Sequence, residues 1–359
     1  MQNSGRMAGA QAHLGLAADR EGSRAVLVWL YVLTAMVFLM VIIGGATRLT
    51  DSGLSITEWK PIVGIVPPLT EAAWQDAFAK YKLIPEYHIV NRGMSLEAFK
   101  TIFWWEWGHR FLGRIIGIVF AIPFAWFMWR RRIPRKLAPR LVALFLLGGL
   151  QGAIGWYMVR SGLVDRVDVS HYRLAVHLGV AVIILGLLLW TALDWKAGAA
   201  AVTGAAPGAA RYWTAVALVG LIFLQILLGA LVAGLKAGLS HNTWPLMDGA
   251  LVPSGLGAMS PWYVNAFENV LTVQFNHRMA AYAIAAVALW HVVNILRSAA
   301  SPGIRLSAGV LGLGVLAQIV LGIWTLLAQV PVSLGLAHQA GAAVVFSLAV
   351  WHLHRIVRT

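Results

Sequence analysis

Apolar residues run along this chain in eight long blocks separated by mostly short polar connections. The blocks fall at approximately 25–46, 110–129, 141–159, 172–193, 213–234, 276–296, 305–328 and 335–354. Each holds around 20 residues, the length a helix needs to cross a bilayer's hydrocarbon core. The pattern predicts an all-α integral membrane protein with eight transmembrane helices. Two connections stand out. Residues 47–108 form a long loop of mixed charge, and Ala197–Ala210 is an Ala/Gly-rich stretch that reads as a flexible linker.

Composition agrees. Hydrophobic residues make up 59% and charged residues 12%, about half the roughly 25% charged content of a soluble domain. That excludes a disordered chain and argues against a soluble one. Net charge is +14, which in a soluble protein would point to nucleic acid. Here the basic residues sort by side instead. Arg6, Arg20 and Arg24 lie in the N-terminal tail. Arg130, Arg131, Arg132, Arg135, Lys136 and Arg140 join the second and third blocks. Lys196 and Arg211, Arg297 and Arg305, and Arg355 and Arg358 complete the set. All five segments fall on one side, which the positive-inside rule makes cytoplasmic. Both termini are then cytoplasmic. The charge reads as topology, and nucleic acid is not an expected partner. The basic tail lacks the small-residue cleavage pattern of a targeting peptide.

The chain also repeats itself. Gly53, Leu54, Ser55, Trp59, Gly64 and Pro68 match Gly238, Leu239, Ser240, Trp244, Gly249 and Pro253 at a constant offset of 185 residues. His109-Arg110 matches His277-Arg278, Gln151 and Gly155 match Gln318 and Gly322, and His177 matches His338. Four spans per half keep both halves in the same orientation. The expectation is a tail (1–24), a four-helix bundle (25–196) carrying the outer loop 47–108, the linker (197–210) and a second four-helix bundle (211–359).

With no cysteine in the chain, disulfides, thiolate metal sites and iron–sulfur clusters are excluded, and histidine is the only strong soft-metal or haem ligand. Of the histidines, His13, His352 and His354 fall in or near the tails, His291 near the cytoplasmic face, and His88 and His241 in outer loops. These read as surface or interfacial residues. His109, His177, His277 and His338 differ. Each lies near the outer end of an even-numbered span, giving one pair per bundle at similar depth. An imidazole in an apolar bundle needs a partner, and two facing imidazoles suit the axial positions of a haem iron. Zinc would need further ligands that neither bundle supplies. Arg110, Arg114 and Arg278 stand within two turns of these histidines and are candidate partners for haem propionates. The bland alternative is four separate interhelical hydrogen bonds, which repeat-related placement makes the weaker reading.

The pairs are not equivalent. Glu106 precedes His109 by three residues, while Gln274 precedes His277 by three. Residues three apart share a helix face. A carboxylate beside one site can move protons, so the first site reads as reactive and the second as electron-transferring. The alternative for Glu106 is a salt bridge to an arginine. Gln-x-x-x-Gly recurs at Gln151/Gly155, Gln225/Gly229 and Gln318/Gly322. It reads mainly as close helix packing, with the Gln available for an interhelical bond. Asp51, Asn91, Arg92 and Trp244 are candidates for the outer mouth of a site.

At these residues the chain resembles the haem A synthase family. The matching stretches are Gly44-Gly45-Ala46-Thr47-Arg48-Leu49-Thr50, Ser52-Gly53-Leu54-Ser55, Glu86-Tyr87 to Asn91-Arg92-Gly93-Met94-Ser95, and Phe99-Lys100 through Glu106-Trp107-Gly108-His109-Arg110. Asn276-His277-Arg278 and Leu336-Ala337-His338-Gln339 complete them. The resemblance spans about residues 25–354. It implies an oxidoreductase of the bacterial inner membrane that oxidises the C8 methyl group of haem O to a formyl group, giving haem A for terminal oxidases. On that resemblance His109 and His177 hold the substrate haem O, Glu106 assists the oxidation, and His277 and His338 hold a resident haem b toward the outer face. It also implies an electron donor of unspecified identity. A homo-oligomer and a partnership with the haem O-forming farnesyltransferase follow from family analogy alone. Some members carry an outer-loop cysteine pair, which this chain lacks, so it resembles the cysteine-free branch. Two other functions fit parts of the pattern. A di-haem electron-transfer cytochrome b would need the same four histidines but not Glu106. A parallel-repeat transporter would need broken helices and a polar midplane.

Overall fold

The computed structural model describes residues 2–358 apart from 61, 165 and 199–207, with side chains described from residue 24 onward. Most of the expected Ala/Gly linker thus lies outside the described residues. The helices in order are α1 (Gln2–Leu49), α2 (Glu71–Tyr81), α3 (Pro85–Ile89), α4 (Leu96–Trp129), α5 (Ala138–Arg160) and α6 (His171–Ala197). They continue with α7 (Ala209–Gly234), α8 (Asn265–Glu268), α9 (Val270–Arg297), α10 (Pro302–Leu327) and α11 (Val332–Arg358). Among the described residues eight helices are long and apolar enough to span a membrane: Arg24–Leu49 of α1, and α4, α5, α6, α7, α9, α10 and α11.

Two spans begin earlier than hydropathy predicts. The second was expected from residue 110, yet α4 starts at Leu96, where the Ser95 hydroxyl accepts from the Ala98 amide at 3.2 Å. Glu97, Lys100 and Glu106 interrupt the apolar run without interrupting the helix, because Phe99 and Phe103 on the same segment are buried. The sixth, expected from 276, starts at Val270, where the Asn269 side chain caps the amides of Leu271 and Thr272. Side-chain caps of this kind satisfy the free amides of a helix start. His109 and His277 are therefore well inside their helices.

Helix neighbours follow the repeat. α1 and α5 each pack against both α4 and α6, which leaves α4 and α6 diagonally opposed. In the same way α7 and α10 each pack against α9 and α11. This is consistent with two four-helix bundles, and they meet where α6 packs on α7 and α11 packs on α1 and α6. Buried residues such as Leu30, Leu33, Leu141 and Leu185 fill the first core, and Leu218, Ile222, Leu311 and Phe346 the second. At the loop end the halves are tied by charge. Arg48 bonds Asp51 at 3.0 Å and Asp168 at 2.8 Å, and Lys236 reaches Asp51 at 3.2 Å and Asp168 at 3.4 Å. Asp51 and Lys236 are themselves one repeat offset apart. Deeper, the Gln339 amide of α11 donates to the Val41 carbonyl of α1 at 2.6 Å.

The long loop folds over the first half. α2 and α3 bury Trp74, Phe78, Tyr81 and Ile84 against Phe99 and Phe103 of α4. This cap also buries a carboxyl group. Glu86 accepts from the Tyr81 hydroxyl at 3.2 Å, and Asn91 donates to that hydroxyl at 2.7 Å. Burial pushes Glu86 up to about 8, against the pull of the Tyr81 bond, and burial also raises Tyr81. A carboxyl whose pKa rises on folding favours the folded state below its ordinary value of 4.5, and that advantage is lost as pH climbs through the folded value. Hydrogen-exchange protection across residues 71–93 should therefore fall between about pH 5 and about pH 9, once the intrinsic pH dependence of exchange is divided out. Glu86→Gln should flatten that fall, and an unchanged slope would remove Glu86 as its source.

Candidate haem sites

The diagonal packing brings the four singled-out histidines together in pairs. His109 of α4 faces His177 of α6 with ring centroids 6.5 Å apart and planes at 69°. His277 of α9 faces His338 of α11 at the same 6.5 Å and 75°. Two metal–nitrogen bonds of about 2.0–2.1 Å, each extended by about 1.1 Å from nitrogen to ring centre, span about 6.2–6.4 Å. The imidazole spacing thus fits one iron held between each pair. A third pair gives the contrast. His291 and His352 lie 5.1 Å apart between centroids, with their Nε2 atoms in direct hydrogen bond at 2.8 Å. That spacing leaves no room for a metal between them. Among the described residues no group of three or more His, Asp or Glu is clustered for a metal ion.

Each imidazole of the two wide pairs lies against a glycine of a neighbouring helix. A Cβ on Gly44 of α1 would stand 3.2 Å from His109, and one on Gly155 of α5 would stand 3.0 Å from His177. On Gly229 of α7 it would stand 3.2 Å from His277, and on Gly322 of α10 only 2.7 Å from His338. For three of the four, the Gln four residues earlier holds the histidine's backbone. Gln151 donates to the His177 carbonyl at 2.9 Å, Gln225 to that of His277 at 2.9 Å, and Gln318 to that of His338 at 2.8 Å. The same amides lie beside the rings, Gln318 at 3.1 Å from His338 Nδ1. The Gln-x-x-x-Gly motif is therefore part of the histidine sites and not packing alone. Gly44 carries no Gln four residues before it and so falls outside that motif, although it stands one repeat offset from Gly229. Gly322→Ala should push the His338 ring out of place and lower haem binding by the His277–His338 pair. The reduced-minus-oxidised spectrum checks this, and full haem content in the variant would contradict the cradle.

Glu106 is buried and its oxygens are occupied. It accepts from Ser55 Oγ and the Ile56 amide, both at 2.7 Å, and from Arg110 at 2.6 and 3.1 Å. Arg110 also donates to the carbonyls of Ile56 at 2.8 Å and Glu58 at 3.2 Å. The second half builds the same clamp with an amide. Gln274 donates to the carbonyls of Ala237 at 2.7 Å and Ser240 at 2.5 Å and accepts from Arg278 at 2.9 Å. Arg278 donates to the carbonyls of His241 at 2.6 Å and Thr243 at 2.8 Å, each one repeat offset from the Arg110 partners. Arg114 donates to the Lys60 carbonyl at 3.1 Å. All three arginines thus hold loops over the N-terminal parts of the helices that carry His109 and His277, and Arg278 Nε is buried without a partner.

The remaining candidates separate. Asn91 and Asp51 serve the cap and the charge cluster already described, and Trp244 donates to the Tyr282 hydroxyl at 3.0 Å. His291, His352 and His354 were expected at the surface, but all three are buried. Neighbouring helices satisfy them: Thr214 bonds His291 at 2.7 Å, Ser307 bonds His352 at 2.8 Å, and Asp194 bonds His354 at 3.1 Å. His171, unremarked in the sequence, is buried at the start of α6, 3.5 Å from Glu268.

Comparison with known proteins meets this geometry. A family model described as cytochrome oxidase assembly protein matches residues 27–350. The haem A synthase of Parvibaculum lavamentivorans is 55% identical over 336 residues, covering 93% of this chain and 95% of its own. That of Azorhizobium caulinodans is 55% identical over 340 residues, covering 94% and 96%. That of a Bradyrhizobium species is 51% identical over 334 residues, covering 92% and 91%. The chain belongs to the haem A synthase family. Family membership covers both histidine pairs and the loops clamped over them, and it joins with the eight apolar helices to make this a membrane-embedded enzyme.

Proposed function

We propose that this protein converts haem O to haem A by oxidising the ring methyl group at C8 to a formyl group, through successive hydroxylations and loss of water. The observation that carries the reading is the pairing of imidazoles at 6.5 Å in both halves, with a carboxylate three residues before the ligand in the first half only. His109 and His177 hold the iron of the substrate, and the glycines behind them admit the rings against the helix backbone. His277 and His338 hold a resident haem b, which supplies electron transfer when bound. The apolar side chains of each bundle would exclude water from a porphyrin held there.

Glu106 is the proton-handling group of the first site, and Arg110 orients its carboxylate through two charge-assisted hydrogen bonds. Arg110, Arg114 and Arg278 would supply the positive charge to pair with haem propionates, and Arg278 keeps its Nε without a partner. Five basic segments on one face support cytoplasmic termini in the bacterial inner membrane, with the haem sites toward the outer face. An electron donor and transient contact with the haem O-forming farnesyltransferase complete the proposed setting.

The test is conversion. Membranes holding the chain are supplied with haem O, and extracted haems are separated over time. The reading expects a hydroxylated intermediate followed by the formyl product. Haem O recovered unchanged, with both sites loaded and reduced, would favour a di-haem electron-transfer protein.

A further inference from the structure

The four histidines are not braced alike. Three have a Gln on the adjoining helix that donates to the histidine's carbonyl at 2.8–2.9 Å. The fourth, His109, is backed by Gly44 of α1, and the residue four positions earlier is Met40. Met40 and Gln225 are one repeat offset apart, as are Gly44 and Gly229, so methionine stands where the second half has its Gln. Met40 points into the same region: its methyl carbon lies 3.5 Å from the Cβ position of Gly113, one turn beyond His109 on α4. A thioether cannot donate a hydrogen bond. The ring is also turned differently. His109 presents Nε2 to its glycine, whereas His177, His277 and His338 present Cε1.

Groups that hold a metal-ligating histidine in place fix its orientation, as each Gln does here through the histidine's backbone carbonyl, and loss of such an outer partner costs about 10–100-fold in metal affinity. We propose that Met40 makes His109 the yielding ligand of the substrate site, so that His177 anchors the haem while His109 lets go and returns. On release the iron–nitrogen bond opens with its electron pair remaining on the imidazole, and no proton or external reactant is needed. This suits a site that must admit a reactant at the iron and pass its haem on. The braced pair in the second half suits a haem that stays. The proposal rests on the reading of the first pair as the substrate site.

The test exchanges the two residues. Chain loaded by co-expression with the haem O supply is reduced and titrated with carbon monoxide, which binds only where an axial ligand yields. One of the two haems should react in the unaltered protein, neither in Met40→Gln and both in Gln225→Met. Transfer of haem to apomyoglobin gives a second readout, since Met40→Gln should slow loss from the first site by about tenfold or more. Met and Gln are both unbranched and of similar length, so Met40→Gln introduces no bulk. Unchanged carbon monoxide stoichiometry and unchanged transfer in Met40→Gln would overturn the proposal. So would an unaltered protein in which both haems or neither react, and the two-site reading would survive that result. A chain that binds no haem would overturn both.

Discussion

His277→Ala is expected to empty the second site, and His109→Ala to leave that site filled while haem A formation stops. The asymmetry follows from position. His277 and His338 are paired with each other, so an alanine at 277 leaves one imidazole to hold the iron, and the haem proposed for that site should be lost. His109 lies in the other half, more than a hundred residues from either, and no element it packs with carries His277 or His338 side chains into its pair. Haem extracted from His109→Ala should therefore retain the b-type component, with product falling below detection. His277→Ala should lack that component and also lose product for want of electrons. Spectra and extracted haems from the two variants check this directly. Full activity in both would show that the imidazole pairs are ordinary helix contacts.

The second large effect concerns Glu106. Glu106→Gln should keep haem content and lose turnover by about 10²–10⁴-fold, the usual weight of a positioned proton-transfer group. The fold already carries the amide in its other half, where Gln274 bonds Arg278 at 2.9 Å and still clamps the loop. The amide introduced by Glu106→Gln can accept from Arg110 in the same way, while losing the bond from the Ile56 amide. Glu106→Ala is a different experiment. It leaves Arg110 without its carboxylate in a mostly buried position, and breaking a buried pair costs about 3–5 kcal/mol. The loop over the first site should then loosen, with haem retention falling along with activity. If Glu106→Gln makes haem A at the unaltered rate, Glu106 is only the fastening of the loop formed by residues 55–58.

Much of this was legible in the sequence because two strong signals agreed. Twenty-residue apolar blocks mark spans regardless of tertiary context, and the 185-residue offset ties the chemistry of one half to the other. Helix starts were less legible. Residues 96–109 carry charges that hydropathy penalises, while the Ser95 cap and the buried faces of Phe99 and Phe103 keep them helical. The histidines near the C-terminal ends of α9 and α11 were misjudged for a related reason. His291 and His352 lie near helix ends, where exposure is the ordinary outcome, but they bond each other, and Thr214 and Ser307 on other helices satisfy their remaining ring nitrogens inside the protein. The glycine behind each imidazole and the loop clamps of Arg110 and Arg278 depend on which helices adjoin, which no local pattern states. Once the diagonal packing is known, Gly44 and Met40 fall out of the same offset that was already visible.

On the proposed function each half holds one haem between two histidines, with different haems in the two halves. Purified protein, co-expressed with the haem O supply, should be examined by reduced-minus-oxidised spectrum and by chromatography of its extracted haems. Haem B together with haem O, haem A or a hydroxylated intermediate is the expected result. Two molecules of haem B per chain and nothing else, or no haem at all, would contradict it.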